Sequence, residues 1–230
     1  MPRPAIAPAA RAAPDAPYHH GDLRRALIDT ALAMVTEEGA WNFTLREVAR
    51  RAGVSNAAPY NHFPDKSALL AEVAARGFEE LRMALESAAR RHRQSSPRQL
   101  VAVGCAYIEY GVNHPAHYRL MFGPELSRRE GHPTLAQAGN AAFAVLLATF
   151  PRGQEGAKAR GNSVRDQAIA AWSLVHGLTM LFIDGWLGMM GYSPGEAGRF
   201  AQTVTEMFLR GGLGAAAQVR TRGAAVDRAR

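Results

Sequence analysis

Apolar residues recur at three- and four-residue intervals along most of the chain, in runs long enough for helices. The first run begins near Asp22, with Leu23, Leu27, Ala31, Met34 and Val35 on one face. Glu37-Glu38-Gly39 ends it, with Gly39 as a left-handed cap. Trp41 and Phe43 cross to the next element as packing residues. Thr44-Leu45-Arg46-Glu47 has the form of a capping box, and Leu45, Val48 and Ala49 form the buried face of a short second helix. Ala52-Gly53-Val54 reads as a tight turn in which Gly53 takes positive φ. Ser55 then caps a third helix from Asn56 to about His62, with Pro59 near its first turn, where a missing amide costs least. Phe63-Pro64 breaks that helix. Asp65 caps a long fourth helix, in which Leu69, Val73, Leu81, Ala84 and Leu85 repeat at helical spacing as far as about Arg93.

Ser95-Ser96-Pro97 marks a linker. Beyond it the pattern predicts helices over 97–113, 115–123, 131–150, 163–190 and 194–211, separated by Pro- and Gly-bearing breakers, among them 153–161. Alanine and leucine dominate and β-branched residues are few, so the expected class is all-α. The pattern divides the chain into an N-terminal arm (1–17), a three-helix head (18–64), a helical body (65–211, with 65–93 as a connecting helix) and a tail (212–230). The arm holds five prolines and seven alanines and is expected to be disordered. The Gly/Ala/Arg-rich tail is expected to fray.

Composition narrows the function. A single cysteine, Cys105, excludes an internal disulfide and a multi-cysteine zinc site. The net charge of +7 favours nucleic acid or an anionic surface as partner. The longest apolar run, 178–190, is interrupted by Asp184 and is shorter than the ~20 residues of a membrane span. With no apolar leader at the N-terminus, the protein is expected to be soluble and cytoplasmic, without a membrane partner.

Residues 44–62 contain the informative pattern. A short capped helix, a glycine turn and a second short helix have the spacing of a helix-turn-helix, whose second helix enters the major groove. Ser55, Asn56, Tyr60, Asn61 and His62 are hydrogen-bonding residues able to meet base edges or phosphates, and Ala57 is small. Lys66 stands in the first turn of the following helix, where its charge opposes the helix dipole and is better placed facing a phosphate. Between 19 and 70 cations and acids balance at six each, so binding here depends on where charge is placed.

The stretch 20–70 strongly resembles the TetR family of bacterial regulators. The resemblance rests on Thr44-Leu45-Arg46-Glu47-Val48-Ala49, Ala52-Gly53-Val54-Ser55 and Tyr60-Asn61-His62-Phe63-Pro64-Asp65-Lys66-Ser67-Ala68-Leu69-Leu70. It implies a three-helix DNA-binding head and a helical ligand-binding and dimerisation body. It also implies DNA contacts at Thr44, Ser55, Tyr60, His62 and Lys66 and base reading by Asn56, Ala57 and Asn61; Arg46 is counted with this set. Pro59 departs from the family, many members of which carry threonine or a similar residue there.

The body resembles a TetR subgroup marked by a Trp…His-Gly motif, here Trp172-Ser173-Leu174-Val175-His176-Gly177-Leu178, with a second typical segment from Asn113-His114-Pro115 to Phe122. Trp172 and His176 lie one turn apart on one helix face. With Tyr107, Tyr110, Met121 and Phe122 they are the candidate walls of an effector cavity. His176 suits either a structural role or a ligand contact. Asp184, in an apolar run, must be paired or line a wet surface. Phe200, Val204, Met207 and Phe208 share a face of the last helix. Two helices from each of two chains could form a four-helix interface; the pattern also fits an intrachain core, and the resemblance favours the homodimer.

The implied function is a transcriptional repressor that dimerises on a palindromic operator and is released by a small-molecule effector. Activation and a helical interaction module without DNA binding are the alternatives. No metal set, nucleophile elbow or phosphate loop is legible, so neither an enzyme nor a cofactor is expected.

Overall fold

The structure, a computed structural model, describes residues 20–126, 131–150 and 163–213. The arm, the segment 153–161 and the tail beyond 213 lie outside the described residues. Every regular element described is helical.

The head consists of α1 (His20–Glu38), α2 (Leu45–Arg51) and one turn of 3-10 helix, Ala58–Asn61. Leu27, Ala31 and Val35 of α1 meet Leu45 and Val48 of α2 and Phe63 in a fully closed core. Gly39 and Gly53 both take the positive φ expected of them, +66° and +72°. At Gly53 this turns the chain so that the Val54 amide reaches the Ala49 carbonyl at 3.0 Å.

The third helix differs from expectation. Instead of an α-helix over 56–62, capped by Ser55, the chain makes three-residue bonds, Ala58 to Ser55 (3.0 Å), Tyr60 to Ala57 (3.1 Å) and His62 to Pro59 (3.0 Å). Pro59 explains this. It has no N–H to give the Ser55 carbonyl, and its ring steers Ala58 away from α geometry. The Ser55 side chain caps nothing, because the turn starts after Ala57 and has no side-chain cap.

The connecting helix, α3 (Lys66–Arg90), is capped by Asp65, whose carboxylate accepts from the Ala68 amide at 2.8 Å. Its first half closes the head, through Leu69 and Val73. Its second half enters the body with Phe78, Leu81 and Leu85. Two ion pairs, Arg24 with Glu72 (2.9 Å) and Arg76 with Asp29, fix α1 along it.

The body comprises α4 (Pro97–Asn113), α5 (Pro115–Phe122), α6 (Pro133–Leu147), α7 (Val164–Ile183), α8 (Trp186–Met189) and α9 (Ala197–Phe208). α3 packs on α4, α5 and α6, and α4 packs on α7 and α9. Close approach of α4 and α7 depends on Gly111, where a Cβ would meet the Thr179 methyl and, at 3.0 Å, the Tyr118 ring.

The helix expected over 163–190 is broken in two. Asp184 caps α7 and Gly185 follows at φ +80°. Arg119 of α5 holds the break, donating to the Ile183 carbonyl and the Asp184 carboxylate, both at 2.8 Å. Asp184 is therefore paired. The last element, expected as one helix over 194–211, is segmented: a 3-10 turn at Pro194–Glu196, then α9, then a π turn at Leu209–Leu213.

α7 is long and apolar enough, by length and composition, to cross a membrane, yet only a third of it is buried in this single chain. On its outer side Ala170, Ser173, Gly177 and Leu181 are exposed, and Met207 of α9 is exposed as well.

Candidate nucleic-acid interface and ligand cavity

Thr44 closes both arms of the capping box. Its hydroxyl accepts from the Glu47 amide at 3.3 Å, and the Glu47 carboxylate accepts from the Thr44 amide at 2.6 Å and the Thr44 hydroxyl at 2.9 Å. Bonds from the Thr44 amide and hydroxyl, with Arg50 and Lys66 nearby, hold the Glu47 carboxyl below its ordinary range. The Thr44 hydroxyl proton is thus already used within the helix end. Lys66, first residue of α3, stands over the Phe43 ring with Nζ 5.7 Å from its centre.

Thr44, Arg46, Ser55, Asn56, Ala57, Tyr60 and Asn61 are all exposed, while His62 and Lys66 are half-buried. Pro59 and Phe63 underneath are buried, so the 3-10 turn is anchored from below with its polar side chains outward. Arg51 is taken up by Glu37 of α1.

The body encloses a cavity of about 230 Å³. Its walls come from α3 (Phe78, Leu81, Leu85), α4 (Leu100, Val103, Tyr107), α5 (Phe122), α6 (Ala142, Phe143, Leu146), α7 (Ile169, Trp172, Val175) and α9 (Thr205, Phe208). Among the six residues expected to form the walls, Tyr107, Phe122 and Trp172 do so. Tyr110 and Met121 do not. They face the other side of α4 and α5, where the Tyr110 hydroxyl donates to Glu80 at 3.4 Å and Met121 is fully buried near Gly77. Both lie on apolar helical stretches, and spacing alone did not give their rotation about the helix axis.

His176 sits behind the wall and not in it. Its Nδ1 lies 2.6 Å from the Tyr118 hydroxyl, which lies 2.8 Å from that of Tyr107; Trp172 Nε1 donates to Tyr107 at 3.0 Å. Burial lowers the His176 pKa and raises those of Tyr107 and Tyr118, so the network is neutral. No buried side-chain polar atom among the described residues lacks a partner. On the far face of α5, the His117 Nε2 bonds to the Val73 carbonyl of α3 at 2.8 Å, and burial lowers its pKa as well.

Sequence reading missed Tyr118, which joins Tyr107 to His176, and the whole α6 wall. It also missed Asn140 and Arg165, exposed residues at the cavity mouth. The three-residue step from Phe143 to Leu146 signalled a buried face without saying against what.

Two family models match the chain. "Bacterial regulatory proteins, tetR family" matches residues 27–73, and "Tetracyclin repressor-like, C-terminal domain" matches residues 100–208. The HTH-type transcriptional regulator BetI of Cronobacter sakazakii is 30% identical over 205 residues, covering 84% of this chain and 92% of that one. BetI of Agrobacterium fabrum is 37% identical over 76 residues, a match spanning 36% of its length and 33% of this chain. A solved structure from Rhodococcus sp. RHA1, of a protein with unknown function, superimposes with a TM-score of 0.70 at 29% identity over 86% of this chain and 98% of its own. Head and body each match their own part of one family. The chain belongs to the TetR family of DNA-binding transcriptional regulators and is not an enzyme.

Proposed function

We propose that the protein is a cytoplasmic repressor that binds a near-palindromic operator as a homodimer and releases it when a small apolar effector enters the body cavity. Thr44, Arg46, Ser55, Asn56, Ala57, Tyr60, Asn61, His62 and Lys66 contact DNA, with Asn56, Ala57 and Asn61 reading bases. The placement in the Trp…His-Gly subgroup belongs to the same proposal, since Trp172, His176 and Gly177 fall inside the C-terminal match.

The observation that carries it is the continuity of α3. One unbroken helix starts at Lys66, beside the exposed head residues, and supplies Phe78, Leu81 and Leu85 to the cavity. Occupancy of the cavity and orientation of the head share this element, as a two-state switch requires. α5 reinforces it, with Phe122 in the wall and His117 bonded to α3 at Val73. The exposed outer side of α7 supports the dimer, because an apolar helix only a third buried needs a second surface. Two heads in one dimer would meet half-sites about 34–36 Å apart.

The test is fluorescence anisotropy of the purified protein on DNA from the region upstream of its own gene, across a salt series, with random-library selection for a distant operator. A competitor-resistant complex that protects a near-palindrome supports the proposal. Failure of both experiments at low salt overturns it.

A further inference from the structure

We propose that the effector is a small apolar carboxylate, whose hydrocarbon part fills the cavity and whose anionic end is held at the mouth by Arg165 and Asn140. This inference rests on the cavity being the effector site.

Three observations converge on this chemistry. First, the interior is lined by hydrocarbon and aromatic surface from six helices. Second, its inner polar groups have no donor to spare. With His176 Nδ1 as the acceptor, the Trp172 N–H and the hydroxyl protons of Tyr107 and Tyr118 are all used among Tyr107, Tyr118 and His176. A ligand acceptor pushed to that end would break an existing bond, so an apolar end belongs there.

Third, the charge lies at the opening. Arg165, Ile169 and Trp172 follow one another at four and three residues along α7, which places all three on the cavity side, with Arg165 outermost. Arg165 is exposed, and no carboxylate pairs with it among the described residues. Its neighbour Asp166 is occupied by the Ser163 amide (3.0 Å) and hydroxyl (2.8 Å). A cation in the first turn of a helix opposes the helix dipole, and an anion at the mouth would satisfy both Arg165 and that helix end. Asn140 of α6 faces the same opening and can donate its amide to the second carboxylate oxygen. The volume, about 230 Å³, is below the ~300–1,000 Å³ of sites for drug-sized ligands, so the hydrocarbon part is short.

The experiment is calorimetric titration of the full-length protein with octanoate, 1-octanol and octylamine, repeated on Arg165→Gln. For the wild type, octanoate is expected to bind about tenfold tighter than octanol, the scale of one charge-assisted hydrogen bond, and octylamine more weakly than either. Arg165→Gln should bring octanoate down to octanol while leaving octanol within about twofold of its wild-type value. Octanol binding with no preference for the carboxylate, or a preference that survives Arg165→Gln, overturns the head-group assignment and leaves the effector cavity standing. If none of the three binds, the effector cavity falls, and this assignment with it. Because Arg165 is exposed, the variant should melt within about 1 °C of the wild type.

Discussion

The head carries its seven exposed candidate contacts within the eighteen positions from Thr44 to Asn61, whereas the cavity draws its walls from six helices between Phe78 and Phe208. The head positions its residues by local means: a capping box, one positive-φ glycine and a proline that tightens a turn. The body positions its residues by packing at a distance, and its cavity exists only where helices far apart in sequence fail to fill the space between them. Damage to a head side chain should therefore cost affinity and leave the fold alone. Damage to a body contact should cost the fold first.

The widest separation of the two is expected from Asn61→Ala combined with Lys66→Ala. If Asn61 reads a base and Lys66 meets a phosphate as proposed, the pair should weaken operator binding by about 100-fold, with the melting temperature nearly unchanged. Anisotropy and a thermal melt on one preparation would decide this, and a fall in both together would place these residues in the fold. The body counterpart is Gly111→Val. The added side chain is driven into Thr179 and Tyr118, so overpacking should remove about 1–3 kcal/mol, roughly 2–12 °C for a chain of this size, with operator affinity retained well below the melt.

An intermediate case sharpens the comparison. Thr44→Ala removes the hydroxyl arm of the capping box, leaves the bond from the residue-44 amide to the Glu47 carboxylate, and should lower head stability by about 1 kcal/mol. If Thr44 acts only through the cap, Glu47→Ala, which removes the carboxylate arm, should weaken DNA binding to a similar degree; a clearly larger loss in Thr44→Ala would place the Thr44 hydroxyl on a phosphate.

Acidification separates the regions by window. Burial holds the folded pKa values of His117 and His176 below the ordinary histidine value of 6.5. They favour the fold while neutral, so their contribution is intact above about 6.5 and is lost as pH falls through their lowered values. The bonds from Thr44 hold the Glu47 carboxyl below the ordinary glutamate value of 4.5, so the head cap persists until lower pH. Melts from pH 7.5 to 4 should show the body loosening first, and His176→Gln should flatten part of that slope. Simultaneous loss of both regions would contradict the two windows.

How much was legible follows the same division. The three-helix head, its turn at Gly53 and the cap at Thr44 came directly from adjacent residues, because each is decided within four positions. The α-helix expected over 56–62 did not form, since Pro59 outweighed the polar composition of the stretch. In the body, helix positions were readable but helix rotations were not. Tyr107, Phe122 and Trp172 reach the cavity while Tyr110 and Met121, equally apolar in pattern, turn away. Arg165 carried no sequence signal, because an arginine beside an aspartate in a capped first turn has the look of an ordinary solvated helix end.

α3 has a mechanical property of its own. The His117 imidazole grips it at Val73, about 10 Å along the helix from Lys66 and about 18 Å from Leu85, at 1.5 Å per residue. A stiff rod turning about that point would have a long arm in the cavity and a short arm at the head. Movement at Leu85 would then reach Lys66 reduced to roughly half, with the force raised in proportion. Such gearing would trade travel for leverage, and would suit a head that must be pulled off DNA more than one that must swing far.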